Sequence, residues 1–208
     1  MLYCDILSSL DNTLGYVLQL TWPMLFISIV LIASVRLAYL LKRKEEFVLH
    51  KEILLLTFVL YILCLFQVVT FQDINTVGSN NFVPFREILR YNFGDRLFVK
   101  NIIGNVLMFI PYGYFATLYA DLKKPWSALL LVTLASVSIE CTQLMIGRVF
   151  DVDDILLNVA GGMLGFLFYR CLDKISNLLP KFFKNNVFLD ILSVSTFVLL
   201  IVYIIWRI

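Results

Sequence analysis

The chain has 208 residues, 61% of them hydrophobic and 15% charged, with a formal net charge of +2 and a mean hydropathy of +0.88. A soluble domain carries about 25% charged residues, so this composition excludes an ordinary soluble fold and predicts an all-α polytopic transmembrane helix bundle. So small a net charge leaves no electrostatic footprint for nucleic acid, and basic residues placed between apolar runs orient a protein in the bilayer instead.

The N-terminus, MLYCDILSSLDNTLGY, has no positive n-region, so the first hydrophobic segment is expected to be retained. Crossing a hydrocarbon core of about 30 Å takes ~20 apolar residues as helix. That length predicts six spans, with five the alternative: residues 17–41, 53–71, 101–120, 126–147, 154–171 and 187–206. Pro23 falls near the start of the first, and Arg36 is close enough to its end to snorkel. The chain divides on this reading into residues 1–71, two spans joined by a charged turn at 42–52; a core at 72–171; and a basic linker with the last span at 172–208. Cys4, Cys64, Cys141 and Cys171 have no paired spacing, so neither a disulfide framework nor a zinc site is expected.

The long connection at 72–100 is punctuated by Gly78, Pro84 and Gly94. Within it FREILRY suits a short interfacial helix with Arg86 and Arg90 on one face, and loops of this length in so small a protein are usually functional. Ten Lys and Arg fall on one set of loops (Lys42, Arg43, Lys44, Lys51, Lys123, Lys124, Arg170, Lys174, Lys181, Lys184) and six on the other (Arg86, Arg90, Arg96, Lys100, Arg148, Arg207). The positive-inside rule places the first set in the cytoplasm, and both termini and the 72–100 loop outside.

Polar groups interrupt the apolar runs of the third, fourth and fifth spans. Ser136, Glu140 and Gln143 share a helical face, as do Asn101 with Asn105, and Asp151, Asp154 and Asn158 in sequence. A charged side chain in hydrocarbon costs about 2.5–3.5 kcal/mol on insertion scales, so Glu140 requires a partner, water or a task. Three such faces can meet in one pocket in the outer half of the bilayer. Beyond Asn158 the stripe continues as Gly161 and Gly165, a G-x-x-x-G that lets a neighbouring helix approach closely. Pro111 and Gly113, mid-span in MFIPYGYF, are expected to kink or thin their helix.

These residues carry a resemblance. N-x-x-G-N-x-x-x-F-x-P-x-G at 101–113, S-x-x-x-E-x-x-Q at 136–143, R-x-x-D-x-x-D-x-x-x-N at 148–158, the G-G-x-x-G that follows, and NFVPFR at 81–86 together resemble the VanZ family. The resemblance covers roughly residues 80–170. It implies a multi-pass protein of Gram-positive envelopes associated with lowered sensitivity to teicoplanin and related glycopeptides or lipoglycopeptides. It names no reaction, so chemistry rests on the side chains.

Ligand-binding candidates are Arg86, Asn101, Asn105, Glu140, Gln143, Arg148, Asp151, Asp154 and Asn158. Guanidinium forks at Arg86 and Arg148 suit phosphate oxygens, which points to an anionic lipid or a lipid-linked wall-precursor head group as partner, besides the bilayer itself. Glu140, Asp153 and Asp154 are the acid/base candidates for a hydrolase or transferase acting on such a lipid. Asp151, Asp153 and Asp154 are candidate oxygen ligands for a divalent cation such as Mg²⁺ or Ca²⁺; otherwise no cofactor is expected. Each has a plainer structural reading. Glu140 would fix helix register through Arg86 or Arg148, the aspartates would cap a helix N-terminus, and the arginines would anchor the interface. His50, the one histidine, stands in the charged turn, which argues against Ser–His–Asp or Cys–His catalysis. No Walker or G-x-G-x-x-G motif is present, so no nucleotide is expected.

Overall fold

A computed structural model describes residues 2–43, 47–71, 80–92, 95–178, 180, 182 and 185–207, with side chains for all of these except 2–21, 43, 69–71, 96, 177, 200–201 and 203–207. Lys44, Gly78, Gly94, Lys181 and Lys184, and the side chains of Cys4, Arg43, Arg96 and Arg207, lie outside the described residues. In chain order the helices are α1 (Leu2–Arg43), α2 (Leu49–Phe71), a 3₁₀ turn (Ile88–Arg90), α3 (Arg96–Phe98), a π-helical turn (Val99–Ile103), α4 (Gly104–Ala120), α5 (Pro125–Met145), α6 (Val152–Leu178) and α7 (Asn186–Arg207). Among the described residues five stretches are long and apolar enough to cross a membrane: Trp22–Lys42, Leu49–Val68, Val99–Ala120, Pro125–Met145 and Val152–Ser176. The sixth expected span corresponds to α7, which is apolar over Asn186–Leu199. The protein is an all-α polytopic helix bundle.

Two compact units are formed, one from residues 1–6 and 69–175, the other from 7–68 and 176–208. Among the described residues of the second unit, Arg36 and His50 pair across helices. Arg36, expected to snorkel, instead donates through Nε and Nη2 to the two carboxylate oxygens of Glu52, at 2.8 and 3.0 Å. The backbone N–H of His50 donates to Oδ1 of Asp190 and its ring Nδ1 lies 2.8 Å from the same oxygen, which ties the start of α2 to α7.

The other unit packs α4, α5 and α6 closely because its glycines remove side chains where backbones meet. A Cβ on Gly161 would collide with the carbonyl of Val106, one on Gly165 with that of Ile110, and one on Gly113 with that of Gly162. Gly162 in turn faces the methyl groups of Val132 on α5. Lipid tails are as apolar as leucine, so helices in a bilayer associate through such close packing and through hydrogen bonds rather than through hydrophobic burial. The expected G-x-x-x-G contact is therefore present, with α4 as its partner, and Gly113 thins α4 against α6. Phe109, Ala128 and Val132 fill the centre at 1% exposure each. Thr117, fully buried, donates to the Gly113 carbonyl at 2.6 Å.

Two helix ends set the site's position. Pro125 opens α5 at its first turn, where a missing N–H costs nothing and the ring fixes φ. α4 ends on Asp121 in the left-handed region, its N–H returned to the Thr117 carbonyl. The tight turn between them makes α4 and α5 antiparallel neighbours. The start of α4, the end of α5 and the start of α6 consequently lie at one end of the unit.

Gly161→Val should destabilise the bundle by about 3 kcal/mol or more through overpacking, whereas Leu164→Ala, at an outward position 49% exposed, should change stability by less than about 1 kcal/mol. Thermal unfolding of the two variants in detergent micelles checks this; equal melting temperatures would contradict the close contact.

Candidate functional site

The segment from Asn80 to Arg90 is stitched onto the turn between α5 and α6. Asn81 and Asp151 form an isolated parallel bridge, with the Asn81 N–H donating to the Phe150 carbonyl at 2.8 Å and the Val152 N–H to the Asn81 carbonyl at 3.1 Å. The Asn81 amide donates to Oδ1 of Asp151 at 2.8 Å, and the rings of Phe82 and Phe150 stack 5.4 Å apart. Asp153, 1% exposed, accepts backbone N–H groups from this segment: Phe85 on one carboxylate oxygen, Glu87 and Ile88 on the other. Phe85 adopts φ +66°, a left-handed conformation that is an outlier for a bulky residue. That reversal breaks the single helix expected for FREILRY into a turn followed by the 3₁₀ turn at Ile88–Arg90.

Beneath this segment lies a cavity of about 480 Å³, within the range of small-molecule sites. Every sequence-derived candidate contributes to its wall: Arg86, Asn101, Asn105, Glu140, Gln143, Arg148, Asp151, Asp153, Asp154 and Asn158. Arg90 and Lys100 also line it, as do Asn81, Glu87 and Tyr91. Glu87 and Tyr91 escaped the sequence reading, since neither interrupts an apolar run. Tyr91 is tied in through its hydroxyl, which accepts the Asn101 amide at 2.7 Å. Asn101 sits in the π-helical turn before α4, a widening that is frequent at functional sites.

The acidic groups are held separately. Glu140, 1% exposed, accepts the Asp151 N–H at 3.1 Å. With the Gln143 amide turned so that its NH₂ faces Glu140 at 2.8 Å, its oxygen accepts from Arg148 Nη1 at 3.0 Å. Gln143 thus lies between the carboxylate and the guanidinium that the sequence paired. Asp154 accepts the Asn105 amide at 2.6 Å, joining α4 to α6. Asp151 caps α6, its Oδ1 accepting the Asp153 N–H at 2.9 Å, as its position before the helix led one to expect. Burial pushes the Asp151 carboxyl above its ordinary value, while the Asp153 N–H and the Asn81 amide pull it back.

The three aspartates therefore serve three different partners and are not gathered into one oxygen cage. Both oxygens of Asp153 already accept backbone N–H groups, and among the described residues no group of three or more His, Cys, Asp or Glu is arranged to hold a metal ion. All three acid/base candidates, Glu140, Asp153 and Asp154, line the cavity, and Asp153 also holds the Phe85 segment through both of its oxygens.

Asp153→Ala leaves three N–H groups without their acceptor, at about 1–3 kcal/mol for each that stays unmet. Trypsin cleavage after Arg86 or Arg90 in detergent-solubilised protein should then accelerate about tenfold or more. A wild-type cleavage rate would show that Asp153 does not hold the segment down.

No curated protein and no solved structure matches the chain. The VanZ/LLP1 family profile matches residues 53–173, which includes α4, α5, most of α6 and the whole cavity wall. With five described helices long and apolar enough to cross a membrane and more than half of its length matched, the chain is a multi-pass membrane protein that belongs to the VanZ/LLP1 family.

Proposed function

We propose that this protein is a cell-membrane protein of a Gram-positive envelope that lowers sensitivity to teicoplanin-type glycopeptide and lipoglycopeptide antibiotics. It does so by recognising an anionic lipid or lipid-linked wall-precursor head group in its polar cavity. One observation carries this reading: a single cavity is lined by the basic side chains Arg86, Arg90, Lys100 and Arg148 as well as by buried acceptors. Guanidinium groups bind phosphate oxygens in pairs. Arg86 is exposed and lines the cavity, where a phosphate can reach it. Arg148 binds from a fixed position, its N–H returned to the Gln143 carbonyl at 2.9 Å.

The cavity opens to the outer face on this proposal. Ten Lys and Arg on the opposite loops against six on the cavity side support that orientation through the positive-inside rule. In a cysteine-free background, a membrane-impermeant maleimide should label Val83→Cys in intact cells and leave Lys123→Cys unlabelled until the cells are opened. The reverse pattern refutes the orientation.

Arg86→Gln should weaken binding of phosphate-bearing lipid to the purified protein about tenfold, or ~1.4 kcal/mol, and lower antibiotic tolerance at undiminished membrane abundance. Tolerance that falls only in step with folded yield would instead mark these groups as structural glue between helices. Glu140 and Asp154 facing the same cavity favour, as the second reading, an acid/base hydrolase or transferase acting on the bound lipid. Turnover of labelled lipid-linked precursor, abolished by Glu140→Gln, would establish it; binding without turnover over hours would exclude it.

A further inference from the structure

The cavity's inner wall contains an acceptor that the chain leaves unmet. Asn158, 4% exposed, donates its amide nitrogen to Ser136 Oγ at 3.1 Å. Its carbonyl oxygen is buried and has no hydrogen-bond partner, the one such side-chain atom among the described residues. An unmet buried acceptor costs about 1–3 kcal/mol, and Asn158 is one of the residues lining the cavity, so a guest seated against it can supply the missing donor. Two carboxyl groups, Glu140 and Asp154, line the same cavity. Asp154 lies one turn before Asn158 on α6, and Glu140 one turn after Ser136 on α5. A buried carboxyl takes its ionised, accept-only form when an opposite charge is brought against it. The inner wall therefore complements a positively charged group with several N–H donors, whereas Arg86 and Arg90 complement an anion.

We infer that the head group this site takes carries both a phosphate and a primary ammonium, the phosphate against Arg86 and the ammonium against Asn158 Oδ1, Glu140 and Asp154. A neutral hydroxyl brings one donor and no charge to three acceptors. A quaternary ammonium brings charge but no N–H, so it leaves Asn158 Oδ1 unmet. A primary ammonium brings both. The inference rests on the proposed phosphate recognition and adds the second half of the ligand. The same chemistry occurs in an ethanolamine phospholipid and in a polyprenyl-linked wall precursor whose peptide carries a free amine.

The test is lipid binding to the full-length protein in detergent micelles, followed by native mass spectrometry. Phosphatidylethanolamine should bind about tenfold more tightly than phosphatidylglycerol of the same chains, and affinity should fall stepwise through the mono-, di- and trimethylated amines. Asn158→Ala should reduce the advantage of phosphatidylethanolamine over phosphatidylglycerol without abolishing it, because Glu140 and Asp154 still face the ammonium. Arg86→Gln should weaken all of these lipids alike. Polyprenyl-linked precursor binding more tightly than either phospholipid, and losing that advantage on acetylation of its amine, would identify the precursor as the source of the ammonium. A flat response to methylation in the wild-type protein overturns the ammonium assignment and leaves phosphate recognition standing, and it does so even if Asn158→Ala fails to fold. Indifference of every lipid to Arg86→Gln overturns the phosphate reading beneath it.

Discussion

The carboxylate of Asp153 is the contact on which the cavity depends. It stands in the first turn of α6, where carboxylates are favoured by the unpaired N–H groups and the positive end of the helix dipole. Rather than serving its own helix, it gathers N–H groups from the segment around Phe85. Hydrogen bonds to an ionised acceptor are worth roughly twice neutral ones, and here several converge on one group. They hold Phe85 in a conformation its side chain disfavours, and they keep Arg86 and Arg90 beside the cavity.

A second constraint acts from below. α4 and α6 approach so closely at Gly113, Gly161, Gly162 and Gly165 that backbone meets backbone, and this leaves no freedom to slide one helix against the other. The register of Asn105 on Asp154 goes with that contact, and that of Ser136 on Asn158 with the seating of Val132 of α5 against Gly162. Close packing and polar pairing support each other. Small residues bring the helices together, and the amides and carboxylates above them reach their partners at that separation. Such mutual support is what specifies one arrangement in a medium where burial of apolar surface contributes little.

Much of this was legible in the sequence, for a physical reason. Within apolar runs, each of Asn105, Glu140, Gln143 and Asn158 is conspicuous because hydrocarbon penalises it, and a 3.6-residue period assigns it to a face. The G-x-x-x-G of α6 was visible on the same grounds. What escaped depends on pairs of residues far apart in the chain. Asp153 and Phe85 are separated by 68 positions, so no local periodicity announces that an aspartate placed to cap a helix holds a distant segment instead. The left-handed Phe85 escaped because bulky residues seldom adopt that conformation. Arg36 and His50 were read from their places near helix ends and in a turn. Their partners, Glu52 and Asp190, lie on other helices, which a pattern along one helix cannot reveal.

The distance along the chain between the roof and its anchor has a consequence for biosynthesis. During synthesis at roughly 5–20 residues per second, Asp153 emerges several seconds after the Phe85 segment that it will hold. Throughout that interval α4 and α5 are being threaded into the bilayer while the arginine-bearing stretch has no carboxylate to seat it. The chamber thus comes into existence only when α6 enters, and a nascent chain halted before that helix would carry every one of the guanidinium groups at 86, 90 and 148 yet possess no place to receive a guest.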